Sequence, residues 1–182
     1  MTKKKLPTTP EELKGASADV FEVLRAESDR GCVLVAAAFV EEGLELLLRS
    51  RMLTNPKVGT LFSGPMAPLG SFSAKIEIAQ ALHLLLREEY EDLNAIRALR
   101  NHFAHSYVKA TFRDDKAVET VKNLHHFGTA AFPETQQETS RSDQFRGRFC
   151  LAAAWLAGTL HNAAVMATAR ERVQQLELVP VD

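Results

Sequence analysis

The side chains best suited to chemistry sit in one run, Leu93 through Tyr107, where Arg97, Arg100, Asn101, His102 and His105 fall among apolar residues. At 100° per residue, Leu93, Ile96, Leu99 and Phe103 make one apolar stripe, so the run reads as a helix. Arg100 falls inside that stripe, between Ile96 and Ala104. A buried charge is costly unless paired, which predicts a carboxylate, carbonyl or phosphate partner for Arg100. Arg97, Asn101 and His105 follow at i, i+4 and i+8, a second row of hydrogen-bonding groups along the stripe's border. Asp29, Glu41 and Glu45 are the carboxylates expected to answer Arg100 or Arg97.

Two kinds of chemistry fit these residues. In the first, Arg97, Arg100 and Asn101 form a polar binding or structural network, and His105 serves the helix end, where a histidine binds free carbonyls and favours the dipole. In the second, Arg100 and His105 act on a phosphate. Arg100-Asn101, His105 and Tyr107 resemble the short signature of HEPN-type helical ribonucleases. The resemblance implies metal-independent RNA cleavage, with His105 as acid or base and Arg100 stabilising phosphate charge. On a regular helix these two residues lie about 140° apart around the axis and roughly 7.5 Å apart along it. They converge only if the helix ends between them or a second subunit contributes. Neither His102 with His105 nor His125 with His126 has zinc-site spacing, so no metal and no cofactor is expected.

Composition bounds the partners. The 182 residues carry a net charge of −1, so no global field draws nucleic acid to the chain, and direct DNA binding is disfavoured. Cys32 and Cys150, the only cysteines, lie in apolar helical runs and read as small buried hydrophobes in a reducing compartment. Lys3-Lys4-Lys5 is followed by Pro7 and Pro10 rather than by an apolar export segment. The runs Val33 to Val40 and Leu151 to Leu160 are each too short to span a bilayer. A cytoplasmic protein without a membrane partner is expected.

The elements that position the polar row are all helical: an all-α single-domain bundle of about six helices, with a long first core helix and a long C-terminal one. Residues 1–8 read as a disordered tail, 9–176 as the helical domain and 177–182 as a C-terminal tail. Thr9-Pro10-Glu11-Glu12 starts the first helix as a capping box. Ser28 or Asp29 caps the next, which runs to about Leu53. Lys57 to Gly70 is read as a long loop whose Ser63-Gly64-Pro65 could rim a site. Ser71 or Ser73 caps a helix to roughly Leu86, with Ile76, Ala79, Leu82 and Leu86 as its buried stripe. The polar-row helix follows from about Glu88 to His105, then a brief extended piece over Val108 to Arg113. Another helix runs from Asp114 or Asp115 to about His126. Thr129 to Ser142 is the most polar and mobile segment, and the last helix runs from Ser142-Asp143 to about Gln175.

Three separated segments carry a wider resemblance: Glu27 through Phe39, Leu61 through Lys75, and Asp92 through His105. Together they resemble the mannitol operon repressor family, the MltR-type proteins. The resemblance implies a helical cytoplasmic regulator linked to transcriptional control of sugar-alcohol uptake. No short helix pair here ends in a basic, base-reading helix, so a regulatory protein partner is the expected route of action. A homodimer is expected as well. The expected binding groove joins Asp29, Arg30, Ser63, Gly64, Pro65, Arg97, Arg100 and Asn101. RNA is the ligand only under the ribonuclease alternative.

Overall fold

The computed structural model describes residues 19–52, 57–106, 110–125 and 141–177, with side chains in the last segment from 142 to 170. These residues form seven helices and no strand: α1 (residues 19–26), α2 (Asp29–Arg49), α3 (Val58–Phe62), α4 (Phe72–Ala81), α5 (Arg87–His105), α6 (Asp115–Lys122) and α7 (Arg141–Glu177). The Thr9 capping box, Tyr107 and the segment before Ser142 lie outside the described residues.

α2 is the centre of the bundle, with α4, α5 and α7 all packed on it. It begins where the sequence supplies a cap, the Ser28 side chain accepting from the Gly31 N–H at 3.1 Å. Its small residues Ala36, Ala37 and Gly43 are buried, as are Ala153 and Ala157 of α7, and Gly43 lies directly against Ala157 and Leu160 of that helix. A Cβ on Gly43 would sit 3.2 Å from the Leu160 Cβ, so glycine is what allows the two helices to approach there. Over Ser142–Arg170, α7 is long and apolar enough by composition to cross a bilayer, unlike the shorter runs read separately from the sequence. Its apolar residues Phe149, Cys150, Leu156 and Leu160 are buried in the bundle instead, as in a core helix.

α5 runs antiparallel to α2. Arg30, in the first turn of α2, donates to the carbonyl of Ala104, in the last turn of α5, at 2.8 Å. Phe103, Phe112 and Phe149 stack in series at 5.8 and 5.5 Å between centroids. They tie α5 and the segment before α6 to α7.

Three expectations on element boundaries change. The stretch from Lys57 to Gly70 contains the short helix α3. α2 stops at Arg49, with Ser50 as its C-cap. α4 ends at Ala81, because His83 turns to a left-handed φ of 54° and reverses the chain into α5. Leu82 and Leu86 therefore leave the helical stripe and are 52% and 63% exposed rather than buried.

Candidate functional site

The polar row lies on α5 as a continuous helix that passes through His105 and ends at Ser106. Leu93, Ile96, Leu99 and Phe103 are buried as expected, but Arg100 is exposed and, among the described residues, donates only to the Asn101 side chain, at 3.1 Å. The expected buried partner of Arg100 is therefore corrected: its angle on the wheel does lie within the stripe, but its long side chain carries the charge out into solvent. Arg97 is half-buried and donates to Asn94 at 3.2 and 3.4 Å, and Asn101 is half-buried beside it.

The three carboxylates expected to meet this row are engaged elsewhere. Glu41 and Glu45 converge on Lys75 of α4 at 2.7 and 3.0 Å, and Glu45 also holds Arg49 at 2.8 Å. Lys75 is 5% exposed, at i+3 from Phe72 and i−4 from Ala79 on the buried stripe of α4. That spacing was the legible signal for a cation in the core. Asp29 turns inward, accepting from the Phe112 N–H at 3.2 Å and facing Arg146 at 3.7 Å. Its role is to hold the segment before α6 against the start of α2.

The expected groove divides in two. Arg30, Arg97 and Arg100 share one end of the bundle, since Arg30 grips Ala104 while Arg100 and Arg97 stand one and two turns before it on α5. Ser63, Gly64 and Pro65 are exposed at the opposite end of α2, next to Phe62, whose ring lies 4.2 Å beneath the Arg49 guanidinium. Arg30 and Arg49 are about 28 Å apart along α2. Gly64, at φ 120°, shapes that distant turn.

Among the described residues no carboxylate lies within ion-pair distance of Arg30, Arg97 or Arg100, so this end presents three cations to solvent. Within one chain Arg100 and His105 do not converge, because α5 continues unbroken between them. His102 is half-buried, edge-on to Phe103, with its Nε2 3.7 Å from Asp114.

A second cluster was not anticipated. His125, just beyond α6, donates its backbone N–H to the buried Asp92 carboxylate at 2.9 Å, and its ring lies 3.0 Å from Asp92 and 3.1 Å from Glu91. The Asp92 hydrogen bond holds the imidazole above its ordinary range, against the opposing effect of desolvation. A raised folded-state pKa means the latch stabilises fully below the unfolded value near 6.5 and is lost as pH rises through the folded one. Its ring is 41% exposed, so the effect is small. We expect the thermal midpoint to fall modestly between mildly acidic and mildly basic pH, and His125→Gln to remove that slope; an unchanged slope in the variant would assign it to other groups.

The comparisons with known proteins agree with this architecture. The mannitol repressor family profile matches residues 17–153. The mannitol operon repressor of Escherichia coli strain K12 is 27% identical over 138 residues, covering 72% of this chain and 69% of that protein. A chain of the X-ray structure of the MtlR-HPr complex from Escherichia coli superposes with a TM-score of 0.63 at 22% identity, covering 83% of this chain and 99% of that one. YggD of Shigella flexneri, described as a possible transcriptional regulator, superposes with a TM-score of 0.63 at 17% identity over 81% of this chain and 96% of its own. These two structural likenesses concern the fold, while the profile spans most of the sequence and includes α2, α4 and the polar row of α5. The chain belongs to the mannitol repressor family.

Proposed function

We propose that this protein is a cytoplasmic, homodimeric transcriptional regulator that acts by binding a protein partner of the HPr kind, and that the partner docks on the end of the bundle formed by Arg30, Arg97, Arg100 and Asn101. The observation that carries the docking surface is the set of three arginines gathered around the last turns of α5 with no carboxylate of the described residues in reach. Arginine is enriched at protein interfaces, where its guanidinium bonds carboxylates and backbone carbonyls in a fixed geometry. The family and the likeness to a chain of the MtlR-HPr complex support a protein partner. The chain's near-neutral charge and its lack of a basic recognition helix among the described residues favour that route over direct base reading.

A second docking surface is favoured by a separate observation: Ile78, Leu82 and Leu86 are all substantially exposed around the α4–α5 turn, an apolar cluster of the kind that forms interface cores. The test is calorimetric titration of the purified chain with Escherichia coli HPr, alongside titration with a mannitol-operon control-region duplex. Saturable HPr binding that weakens with salt supports the reading. Specific duplex binding by the chain alone, with no HPr binding, overturns it. Sedimentation of the same samples checks the homodimer.

A further inference from the structure

Cys32 and Cys150 lie 118 residues apart in sequence, yet their sulfurs are 3.3 Å apart where α2 and α7 cross, and both residues are fully buried. A disulfide needs about 2.05 Å, so closing the gap takes a movement of little more than an ångström. The surroundings are electropositive. Cys32 sits in the first turn of α2, at the positive end of its dipole, and Arg146 stands one turn before Cys150 on α7. Arg146 also donates to the carbonyls of Leu24, Arg25 and Glu27, which fixes its guanidinium between the end of α1 and the two thiols. The hydrogen bond between the thiols, in which either sulfur can donate, raises Cys32, reinforced by burial, and lowers Cys150; Arg146 lowers both, and Cys150 is the more easily ionised member.

We propose that Cys32 and Cys150 are an oxidisable pair that closes to a disulfide between α2 and α7 when the protein meets a hydroperoxide. The Cys150 thiolate attacks the peroxide oxygen, the O–O bond breaks, and the departing oxygen takes up a proton to leave as water or alcohol. Cys150 is then a sulfenic acid. The Cys32 sulfur attacks the Cys150 sulfur, the S–O bond breaks, and hydroxide leaves with the Cys32 proton as water. The two thiols together lose two electrons, and the peroxide gains them. Only a small oxidant reaches sulfurs buried this deeply. The bond staples α2 to α7 just inside Asp29 and Arg30, so it braces the end of the bundle that carries the arginines, whatever binds there.

The test is to treat the purified full chain with excess hydrogen peroxide, unfold it in alkylating reagent, and weigh it intact and after digestion. The expected product is two hydrogens lighter, resists alkylation at both cysteines, yields a linked Cys32–Cys150 peptide, and reverts with dithiothreitol. Its thermal midpoint is about 10 °C higher, because a long loop has been closed. Cys32→Ala and Cys150→Ala each abolish that product. Two alkylatable cysteines after prolonged exposure, a product gaining oxygen, or covalent dimers in place of the internal link would each overturn the proposal. Should either variant fail to fold, the linked peptide from the unaltered chain still decides the matter.

Discussion

Reversing Arg97 and Arg100 together to glutamate is expected to weaken binding of an HPr-type partner by about 100-fold, equivalent to roughly 2.7 kcal/mol, while leaving the fold in place. Among the described residues both arginines donate only to neutral neighbours on their own helix, Asn94 and Asn101, so no ion pair there is broken. Surface changes of this kind shift stability by no more than about 0.5 kcal/mol. A docked partner that satisfies these cations meets like charge instead, in an interface where water no longer screens it. The remaining affinity should depend less steeply on salt than in the unaltered chain. An unchanged dissociation constant in the folded variant would remove these arginines from the interface.

Lys75→Met carries the largest expected cost in stability, about 3 kcal/mol near neutral pH, read as a fall of roughly 6–12 °C in thermal midpoint. Methionine keeps the side-chain volume but leaves Glu41 and Glu45 facing each other without the ammonium that both now contact. The pH dependence follows from the same triad. Burial raises Glu45, but the hydrogen bonds from Lys75 and Arg49 outweigh it and hold the carboxyl below its ordinary value near 4.5. That contribution is present above 4.5 and is lost as pH falls through the depressed value. Burial likewise lowers Lys75, but Glu41 and Glu45 outweigh it and hold the ammonium above its ordinary value near 10.5. Its contribution is complete below 10.5 and is lost as pH rises through the raised value. The native chain should therefore be most stable between these limits. Lys75→Met should show a shallower loss in acid, because protonating the carboxylates relieves their mutual repulsion. Equal acid slopes in both proteins would contradict the triad.

What could be read from the sequence follows from what is local. Ser28 and Ser71 cap helices where the residue types demand it, and the apolar spacing of α5 identifies its buried face. A helical wheel gives direction but not the width of the neighbour that covers it, which is why Arg100 looked buried and is not. It also cannot say which distant cation meets Glu41 and Glu45. That depends on where α4 crosses α2, and the crossing places Lys75 there. The joining of Ser63-Gly64-Pro65 to Arg30 failed for a related reason, since segments close in a resemblance can stand at opposite ends of a long helix. Burial of both cysteines was legible from their apolar surroundings, whereas their contact across 118 residues is a product of the α2–α7 packing.

The most direct test of partner docking is hydrogen exchange of the chain alone and in complex with HPr. The account predicts new protection in the last turns of α5, residues 97–105, and in the first turn of α2 around Arg30, with little change elsewhere. Protection confined to the α4–α5 turn at Ile78, Leu82 and Leu86, or the absence of any footprint at saturating HPr, would contradict it.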